Sequence, residues 1–572
     1  MTEMETVRNL LDQIYGRTEA SFAFERILGL IERFPKVAGT KKRRGLFSEI
    51  DALLITYADS LKNNGEIPLQ TLHRFARKYF KGVFSAIHLL PFFPYSSDDG
   101  FSVTDFFAVN PGLGSWEDVE TLGRDFQLMF DMVLNHVSAE SEWFNKFLND
   151  VAGYESLAVA VDPASDLSMA TRPRALPLLT LFKKKSGEAV HVWTTFSPDQ
   201  IDLNYKSPDI LIKMVSVLLH YVERGARFLR FDAVAYLWKE IGTNCIHLPQ
   251  THAMVKLFRA VLDVVAPEVS IITETNVPHS ENISYFGNGS DEAQLIYNFT
   301  LPPLLLHAFL SQDARVFSRW AADLELPSSG TTFLNFTASH DGIGVRPLEG
   351  ILPEEEILKL AKLSKTYGAG ASIKRNPDGS DSPYELNITY LDALLSGGVE
   401  KGPPPAGKFL ASQAIQYVLP GVPATYIHSV LGSRNWNEGV RQTGRARTIN
   451  RRTLSAWKVS SKLKDPETFR SRIFHPYIHL IKVRKRQPAF NPDAKMNVLD
   501  IHPRVFAVVR ACERQTICAL TNVSSGEVSL SPADTGLPLE TMDLLTGNRV
   551  NTNSLKLAPY EFVWLTSPES IT

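Results

Sequence analysis

Eight short β-rich runs between residues 53 and 427, most of them separated by amphipathic helical patterns, constrain the fold of this chain more than any other feature. Such alternation of strands and helices is typical of a parallel sheet covered by helices. Eight repeats predict a closed (β/α)8 TIM barrel of the α/β class. The predicted strands are Leu53–Tyr57, Phe84–Leu90, Gln127–Val133, Arg227–Asp232, Val269–Glu274, Gln294–Phe299, Thr332–Thr337 and Ala424–Ile427.

An open, doubly wound sheet is the alternative to a barrel. No G-x-G-x-x-G follows the first predicted strand, so a dinucleotide-binding fold loses its main support. The gaps at about 137–205 and 342–405 are too long for plain crossovers, and we expect two small inserted subdomains over the barrel mouth. We predict a helical extension over 1–48, the catalytic barrel over 49–490 and an all-β domain over 491–572.

The composition excludes several functional classes. Lys and Arg total 60 and Asp and Glu total 62, a net charge of −2, which leaves no basic field for nucleic acid or an anionic membrane. The N-terminus has no basic segment before an apolar run, and no apolar stretch is long enough to cross a membrane. With only three scattered cysteines, we expect a cytoplasmic protein. Whether it forms a homodimer stays open.

Polar residues at the carboxyl ends of the predicted strands would meet at the barrel mouth, where barrel enzymes place their active sites. Any one of them alone could be a helix cap or a hydrogen-bonded core group. Together, in barrel register, they predict a catalytic site. They are Asn135 and His136 on the third strand, Arg230 and Asp232 on the fourth, Glu274 on the fifth, and His340 and Asp341 on the seventh.

Paired carboxylates are what cleavage of a glycosidic bond requires. One attacks or stabilises the oxocarbenium-like centre, and the other protonates the leaving oxygen. Arg230 projects on the same strand face as Asp232, because side chains in a strand alternate with a period of two. A nearby cation keeps a carboxylate ionised. We therefore expect an ionised Asp232 beside a protonated Glu274.

The residues quoted above resemble the four signature regions of the α-amylase superfamily of glycoside hydrolases. The four stretches are DMVLNH (131–136), GARFLRFDAV (225–234), ITETN (272–276) and ASHD (338–341). Three more resemble the sucrose phosphorylase branch: LPFFPYSSDDGFS (90–102), FSPDQIDLN (196–204) and HDGIGV (340–345). The N-terminal helices and the length are most similar to the glucosylglycerate phosphorylases of that branch.

The resemblance implies a role for each matching residue. Asp232 would be the nucleophile that forms a covalent β-glucosyl–enzyme, Glu274 the acid and then the base, and Asp341 a ligand of two sugar hydroxyls. No metal or other cofactor is expected, and Asn135 would be a structural hydrogen-bonder where amylases bind calcium. The glucose pocket would be completed by Asp98, Phe101, His136, Arg230, His340 and Arg447.

The carboxylates do not decide between phosphorolysis and hydrolysis, because both pass through the same intermediate. Inorganic phosphate needs fixed cations, preferably arginine. Candidates are Arg172, Arg174, Arg346 and Arg447. The resemblance favours phosphorolysis over a hydrolase or transglucosidase, and the presence of all three carboxylates argues against a non-catalytic binding protein.

Departures from sucrose phosphorylases concern the acceptor, the group to which glucose is joined. Asn276 occupies the position at which sucrose phosphorylases usually have His. Glu385, next to Tyr384, occupies the position at which they have Gln. Leu179 occupies the position of an aromatic residue in their glucose pocket. These changes put fructose in doubt. The resemblance to glucosylglycerate phosphorylases favours glycerate, whose carboxylate Arg346 or the Arg172/Arg174 pair could bind, whereas Glu385 would oppose an anion unless it binds the hydroxyls. The expected substrates are 2-O-α-glucosylglycerate and inorganic phosphate, with sucrose and sucrose 6-phosphate as alternatives.

Overall fold

The eight predicted strands all form, and they close into one parallel barrel in chain order. The computed structural model describes residues 2–35, 47–376, 379–396, 406–531 and 536–567. Leu53 on the first strand pairs with Ala424 on the last, which confirms the barrel and excludes the open sheet. The barrel strands are β1 (Leu53–Thr56), β2 (Ala86–Leu89), β3 (Gln127–Val133), β4 (Ala226–Asp232), β5 (Ser270–Thr273), β6 (Leu295–Tyr297), β7 (Thr332–Phe336) and β8 (Val422–Tyr426).

Helices cover the barrel. The helix that leads into β4, Pro208–Glu223, begins with a proline, whose missing N–H costs nothing in a first turn, and it buries a dense row of aliphatic side chains. This packing sets the position of β4 and its carboxyl end. The helices are Glu3–Tyr15, Arg17–Arg33, Pro68–Tyr79, Trp116–Gly123, Glu142–Leu148, Pro208–Glu223, Pro249–Val265, His279–Asn282, Leu301–Ser311, Arg315–Ala322, Glu354–Tyr367, Tyr390–Leu395, Ala406–Val418, Ile427–Val430, Asn437–Thr443, Ala456–Lys464 and Phe469–Arg484.

Two excursions from the barrel contribute short antiparallel sheets. The first, between β3 and β4, has two two-stranded sheets, and the second, between β7 and β8, has one three-stranded sheet. The second excursion also contains the helix Glu354–Tyr367, whose N-cap is Pro353. Their strands are His136–Ser138, Leu179–Lys183, Ala189–Trp193 and Gln200–Asp202 in the first, and Ile343–Gly344, Ala371–Arg375 and Asp381–Leu386 in the second.

The two predicted N-terminal helices lie against the helices on either side of β4. The Tyr15 hydroxyl donates a hydrogen bond to the Tyr205 carbonyl oxygen over 2.9 Å. Arg26 forms an ion pair with Asp209 at the start of the helix Pro208–Glu223. The N-terminal extension therefore packs on the helices that flank the strand carrying Arg230 and Asp232. The basic run at 41–44 lies outside the described residues.

The C-terminal part of the chain is a β structure, as predicted. A six-stranded sheet and a two-stranded sheet form, and the Phe506 ring packs edge-on against Phe317, 5.0 Å between centroids, beside the barrel. No helix in the described part of the chain is long and apolar enough to cross a membrane. The strands are Lys495–Leu499, Val505–Cys512, Gln515–Asn522, Val528–Leu530, Glu540–Asp543, Arg549–Asn551, Leu555–Leu557 and Phe562–Thr566, and a small parallel pair joins Leu61–Lys62 to Leu454–Ser455.

One buried arginine, Arg484, joins the segments at the amino-terminal end of the barrel. It is fully buried and has no carboxylate partner among the described residues. Its guanidinium instead donates hydrogen bonds to five main-chain carbonyl groups, those of Glu49, Asp51, Tyr417, Gly421 and Phe490. The Glu49 and Asp51 carbonyls precede β1, the Tyr417 and Gly421 carbonyls precede β8, and the Phe490 carbonyl precedes the C-terminal sheet. One side chain therefore connects three parts of the fold.

Replacement of Arg484 by Met should destabilise the protein by about 3 kcal/mol or more, because buried carbonyl groups lose their donors. Thermal and urea unfolding measure the loss. Arg486→Met is the matched control, since that side chain is exposed two residues later. Equal stability of the two variants would contradict the connecting role of Arg484.

Candidate active site

A cavity lies at the carboxyl ends of the barrel strands, under the two excursions. Arg174, one of the candidate anion ligands, lines it together with ten of the other residues expected at the site: Asp98, Phe101, His136, Asp232, Glu274, Asn276, His340, Asp341, Tyr384 and Arg447. Arg230 lies beneath its floor, and Arg346 and Glu385 are outside its wall. The strand-end pattern in the sequence thus leads to one place in the fold.

Asp232 ends β4, and Arg230 lies two residues earlier on the same face of the strand. The Arg230 Nη1 atom donates to Asp232 Oδ1 over 2.7 Å and to Asp131 on the neighbouring strand β3 over 2.5 Å. Asp131 also forms a 2.7 Å hydrogen bond with His88 on β2. Asp131 therefore fixes the position of the Arg230 guanidinium, and the guanidinium stabilises the charged form of Asp232.

Glu274 follows β5 and faces the same cavity. Its Oε2 accepts a hydrogen bond from the main-chain N–H of Ala233 over 3.1 Å. Ala233 adopts a left-handed conformation with φ of 51°, which is uncommon for alanine and turns the chain sharply after Asp232. Arg230 is 4.0 Å from Glu274, compared with 2.7 Å from Asp232. The cation therefore favours the charged form of Asp232 more than that of Glu274.

The three carboxylates differ in their tendency to hold a proton. Burial raises the pKa of Asp232 to about 6 and that of Glu274 to about 7. Burial also acts on Asp341, but the neighbouring Arg447, His340 and Arg451 hold the pKa of Asp341 below its ordinary range. Asp341 is therefore charged near neutral pH, and Glu274 holds its proton up to a higher pH than Asp232 does. This is the division of roles that general acid catalysis beside a nucleophile requires.

These pKa values predict a narrow, bell-shaped pH profile. With an α-glucoside donor, kcat/KM should fall below about pH 6, as Asp232 becomes protonated, and above about pH 7, as Glu274 loses its proton. Measurement of kcat/KM from pH 4 to 9 tests this. With α-glucosyl fluoride, whose leaving group needs little protonation, Glu274→Gln should remove the alkaline limb. An alkaline limb that persists unchanged in this variant would contradict the role of Glu274.

Rings and a strained loop shape the inner end of the cavity. Asp98 and Asp99 both have φ near 50°, and a side chain at Gly100 would lie 2.8 Å from Pro91 atoms. The carbonyl oxygen of Phe101 accepts a 3.0 Å hydrogen bond from His136, and its ring stacks on His340 at 4.9 Å. The loop 98–101 is thereby held against both histidines.

Two arginines converge on Asp341 from the segment after β8. Arg447 Nη1 lies 2.8 Å from Asp341 Oδ1, and Arg451 Nη2 lies 3.4 Å from the same oxygen. Arg451 also forms an ion pair with Asp99 and donates to the His340 carbonyl oxygen. Arg451 was not among the residues predicted for the site, although it belongs to the same RTINR stretch as Arg447.

The structure corrects the expectation for Leu179. It places Phe196 in the cavity wall, 5.5 Å from the His136 ring and 5.4 Å from the Tyr236 ring. Leu179 instead packs in a small apolar cluster with Trp193. Phe196 lies in the FSPDQ stretch that the sequence already singles out, so that stretch was the signal for the aromatic wall.

The two residues outside the cavity wall have partners of their own. Glu385 binds Arg447 with both carboxylate oxygens, at 2.9 and 2.6 Å. Arg346 lies 3.6 Å from Glu281, and its side chain is 13% exposed. Neither side chain lines the cavity. Two of the arginines considered as anion ligands do line the cavity: Arg447, and Arg174 from the first excursion.

Comparison with known proteins agrees with the fold and with the family resemblance. The α-amylase catalytic domain family matches residues 78–325. Glucosylglycerate phosphorylase from Escherichia coli is 44% identical over 98% of this chain and 100% of that protein. Sucrose phosphorylase from Agrobacterium vitis is 31% identical, covering 77% of this chain and 88% of that protein.

The chain belongs to the sucrose phosphorylase branch of the α-amylase superfamily. Its fold is similar to the crystal structure of sucrose 6F-phosphate phosphorylase from Thermoanaerobacter thermosaccharolyticum, with a TM-score of 0.74 at 24% identity, covering 91% of this chain and all of that one. This likeness supports the barrel and the C-terminal β structure described above.

Behind the cavity, this member of the sucrose phosphorylase branch has a buried lysine. Lys239 Nζ lies 2.6 Å from Asn135 Oδ1 and 2.6 Å from Asp202 Oδ2. Asp202 also accepts hydrogen bonds from Asn135 and from Thr195. An ammonium group thus occupies the space between the two oxygen-bearing side chains and links β3, the first excursion and the segment after β4.

Lys239→Met should destabilise the protein by about 3–5 kcal/mol, because it leaves the Asp202 carboxylate buried without a cation. Thermal unfolding at pH 7 measures the effect. Lys206→Met is the control, since Lys206 forms a half-exposed ion pair with Glu240, and such pairs contribute about 1 kcal/mol or less. A Lys239→Met variant as stable as that control would contradict this assignment.

Proposed function

We propose that the protein is a retaining α-glucoside phosphorylase, which converts 2-O-α-D-glucosylglycerate and inorganic phosphate to α-D-glucose 1-phosphate and D-glycerate. The similarity to a glucosylglycerate phosphorylase over nearly the whole chain carries the proposal. The cavity supports it, because it combines a carboxylate–arginine pair, a second carboxylate with a raised pKa, and an arginine suited to an anion.

In the first step, Asp232 attacks the anomeric carbon of the glucoside from one face. Glu274 gives its proton to the departing glycerate oxygen, so the C–O bond breaks as a β-glucosyl ester forms on Asp232. Arg230 keeps Asp232 ionised before attack. Asp341, held charged by Arg447 and Arg451, faces the sugar hydroxyls, with Phe101 and His340 stacked beside it.

In the second step, inorganic phosphate enters the place that glycerate has left. The Glu274 carboxylate accepts a proton from phosphate as its oxygen attacks the anomeric carbon, and Asp232 is released. Two inversions give net retention, so the product is α-D-glucose 1-phosphate. Water in the place of phosphate would give glucose, and exclusion of water decides between the two outcomes.

Arg174 is the residue that we assign to the anions. Its guanidinium lies over the Tyr384 ring at 5.8 Å from the centroid, and none of the ion pairs among the described residues involves it. Stacking on a ring fixes the plane of the guanidinium without consuming its N–H groups. Those groups can then bind phosphate in one half-reaction and the carboxylate of glycerate in the other.

Asn276 provides a second polar contact on the acceptor side. Its Oδ1 atom is buried and accepts no hydrogen bond within the described part of the chain. A Cβ atom at Gly344 would lie only 2.6 Å from this oxygen, so the glycine leaves room for the amide. We assign Asn276 to the free hydroxyl of glycerate. A site of this kind would reject acceptors that leave the buried oxygen unpaired.

The decisive experiment compares acceptors in parallel. Phosphate release from α-D-glucose 1-phosphate is measured with D-glycerate, fructose, fructose 6-phosphate, glycerol or water. Fast release with D-glycerate and little with water supports the proposal. A preference for fructose or fructose 6-phosphate would mean a sucrose or sucrose 6-phosphate phosphorylase instead, and release with water alone a hydrolase. Asp232→Ala should abolish release in every case.

Arg174→Gln should raise the KM for phosphate and for D-glycerate by roughly 10- to 100-fold, since a hydrogen bond to a charged group is lost. Glucosylation, followed as fluoride released from α-glucosyl fluoride in the first turnover, should change little. Arg172→Gln is the matched control, because that side chain binds the Leu176 carbonyl oxygen outside the cavity. An unchanged KM for both anions in Arg174→Gln would remove the assignment.

We also propose that the protein acts in the cytoplasm. Its three cysteines, Cys245, Cys512 and Cys518, are all free thiols, which suits a reducing compartment. Monomer and homodimer stay open for its assembly, and light scattering distinguishes them.

A further inference from the structure

Glu385 is a buried carboxylate that the reaction steps above do not use. Its position in the sequence suggests a contact with the acceptor, but its side chain is not in the cavity wall and the residue is only 2% exposed. It lies on the strand Asp381–Leu386 of the second excursion. A buried charge needs a partner, because transfer from water costs several kcal/mol per ion.

The partner of Glu385 is Arg447, which donates a hydrogen bond to each of its two carboxylate oxygens. Arg447 Nε donates to Glu385 Oε1 over 2.9 Å, and Nη2 donates to Oε2 over 2.6 Å. The remaining nitrogen, Nη1, lies 2.8 Å from Asp341 Oδ1. Two parallel hydrogen bonds fix the plane of a guanidinium, as single contacts do not. Glu385 therefore sets the direction in which Arg447 presents Nη1 to Asp341.

The chain after Asp341 makes room for this contact. A Cβ atom on Gly342 would lie 2.7 Å from Glu385 Cγ and 2.3 Å from the Leu386 carbonyl oxygen. Gly344 pairs with Glu385 across the antiparallel sheet. The glycines of the HDGIGV stretch thus let the strand that bears Glu385 approach the residue after Asp341 closely.

We propose that Glu385 is a positioning residue of the glucose site, which acts only through Arg447. It aligns Arg447 with Asp341, and it also supplies Arg447 with a second negative partner. Two carboxylates already balance the positive charge of Arg447, so it attracts a third anion only weakly. Phosphate and glycerate therefore bind Arg174, whereas Arg447 holds Asp341 in place for the sugar. This inference rests on the proposed function for the identity of the anions.

A contact between Glu385 and the acceptor would behave differently. If Glu385 touched glycerate, its substitution would change the KM for the acceptor and leave glucosylation of Asp232 unaffected. If it acts through Arg447, its substitution slows glucosylation by every donor. The first turnover with α-glucosyl fluoride separates the two cases, since fluoride is released without any acceptor or phosphate.

The test is Glu385→Gln, which keeps the size of the side chain but replaces one acceptor oxygen by an N–H donor facing Arg447. First-turnover fluoride release should fall by roughly 10- to 100-fold, while the KM for D-glycerate in synthesis stays within about twofold of the wild type. Glu349→Gln is the matched control, because Glu349 makes a 2.8 Å ion pair with Lys374 outside the cavity. It should leave fluoride release unchanged.

A double-mutant cycle with Arg447→Met completes the test. If Glu385 acts only through Arg447, then Glu385→Gln should cause no further loss of fluoride release in the Arg447→Met background. Additive losses, or a changed KM for D-glycerate with normal fluoride release, would overturn the inference. Melting curves identify variants that fail to fold. If Glu385→Gln fails to fold, Glu385→Asp replaces it as the milder variant. We expect a partial loss of fluoride release in Glu385→Asp, and a wild-type rate would contradict the proposal.

Failure of the proposed function would give a different pattern. In that case the wild type would still release fluoride in the first turnover but would show no phosphate release that depends on D-glycerate. The comparison of Glu385→Gln with wild type by fluoride release stands in either case, because that step needs neither phosphate nor glycerate.

Discussion

The ion pair between Arg230 and Asp232 is the interaction on which the site depends. Three carboxylates meet at one end of a closed barrel, where burial favours their neutral forms. Arg230, fixed from below by Asp131, gives one of them a cation at 2.7 Å and leaves another at 4.0 Å. This difference in distance favours the charged form of Asp232 over that of Glu274, and the Asp131 carboxylate in the barrel maintains it.

Much of the fold follows from local sequence patterns. Each barrel strand is short, buried and followed by a helix or an excursion, so hydrophobic runs and their spacing identify all eight. The carboxylates could be predicted for the same reason. Asp232 and Glu274 stand at or just beyond strand ends, and parallel strands bring their ends to one edge. The resemblance to known signature regions then added roles to positions that the strand pattern already favoured.

The contacts that involve the excursions could not be predicted in this way. Glu385 and Arg447 are 62 residues apart, and no periodic pattern shows that the two side chains meet. Phe196 and Leu179 are both apolar residues of one irregular segment, and only the folded chain distinguishes the cavity wall from the apolar cluster. Arg174 and Arg346 were equal candidates from charge alone. Their difference arises from neighbours that are distant in sequence.

The two sides of the cavity have different origins in the chain. The side of the cavity that holds the three carboxylates is built mainly from strand ends and the segment after β8, whereas Arg174 belongs to the first excursion and Tyr384 to the second. Excursions can change in length and sequence without disturbing the barrel core. Under the proposed function, a change in these segments can alter the acceptor preference while the barrel keeps the chemistry at Asp232 in place.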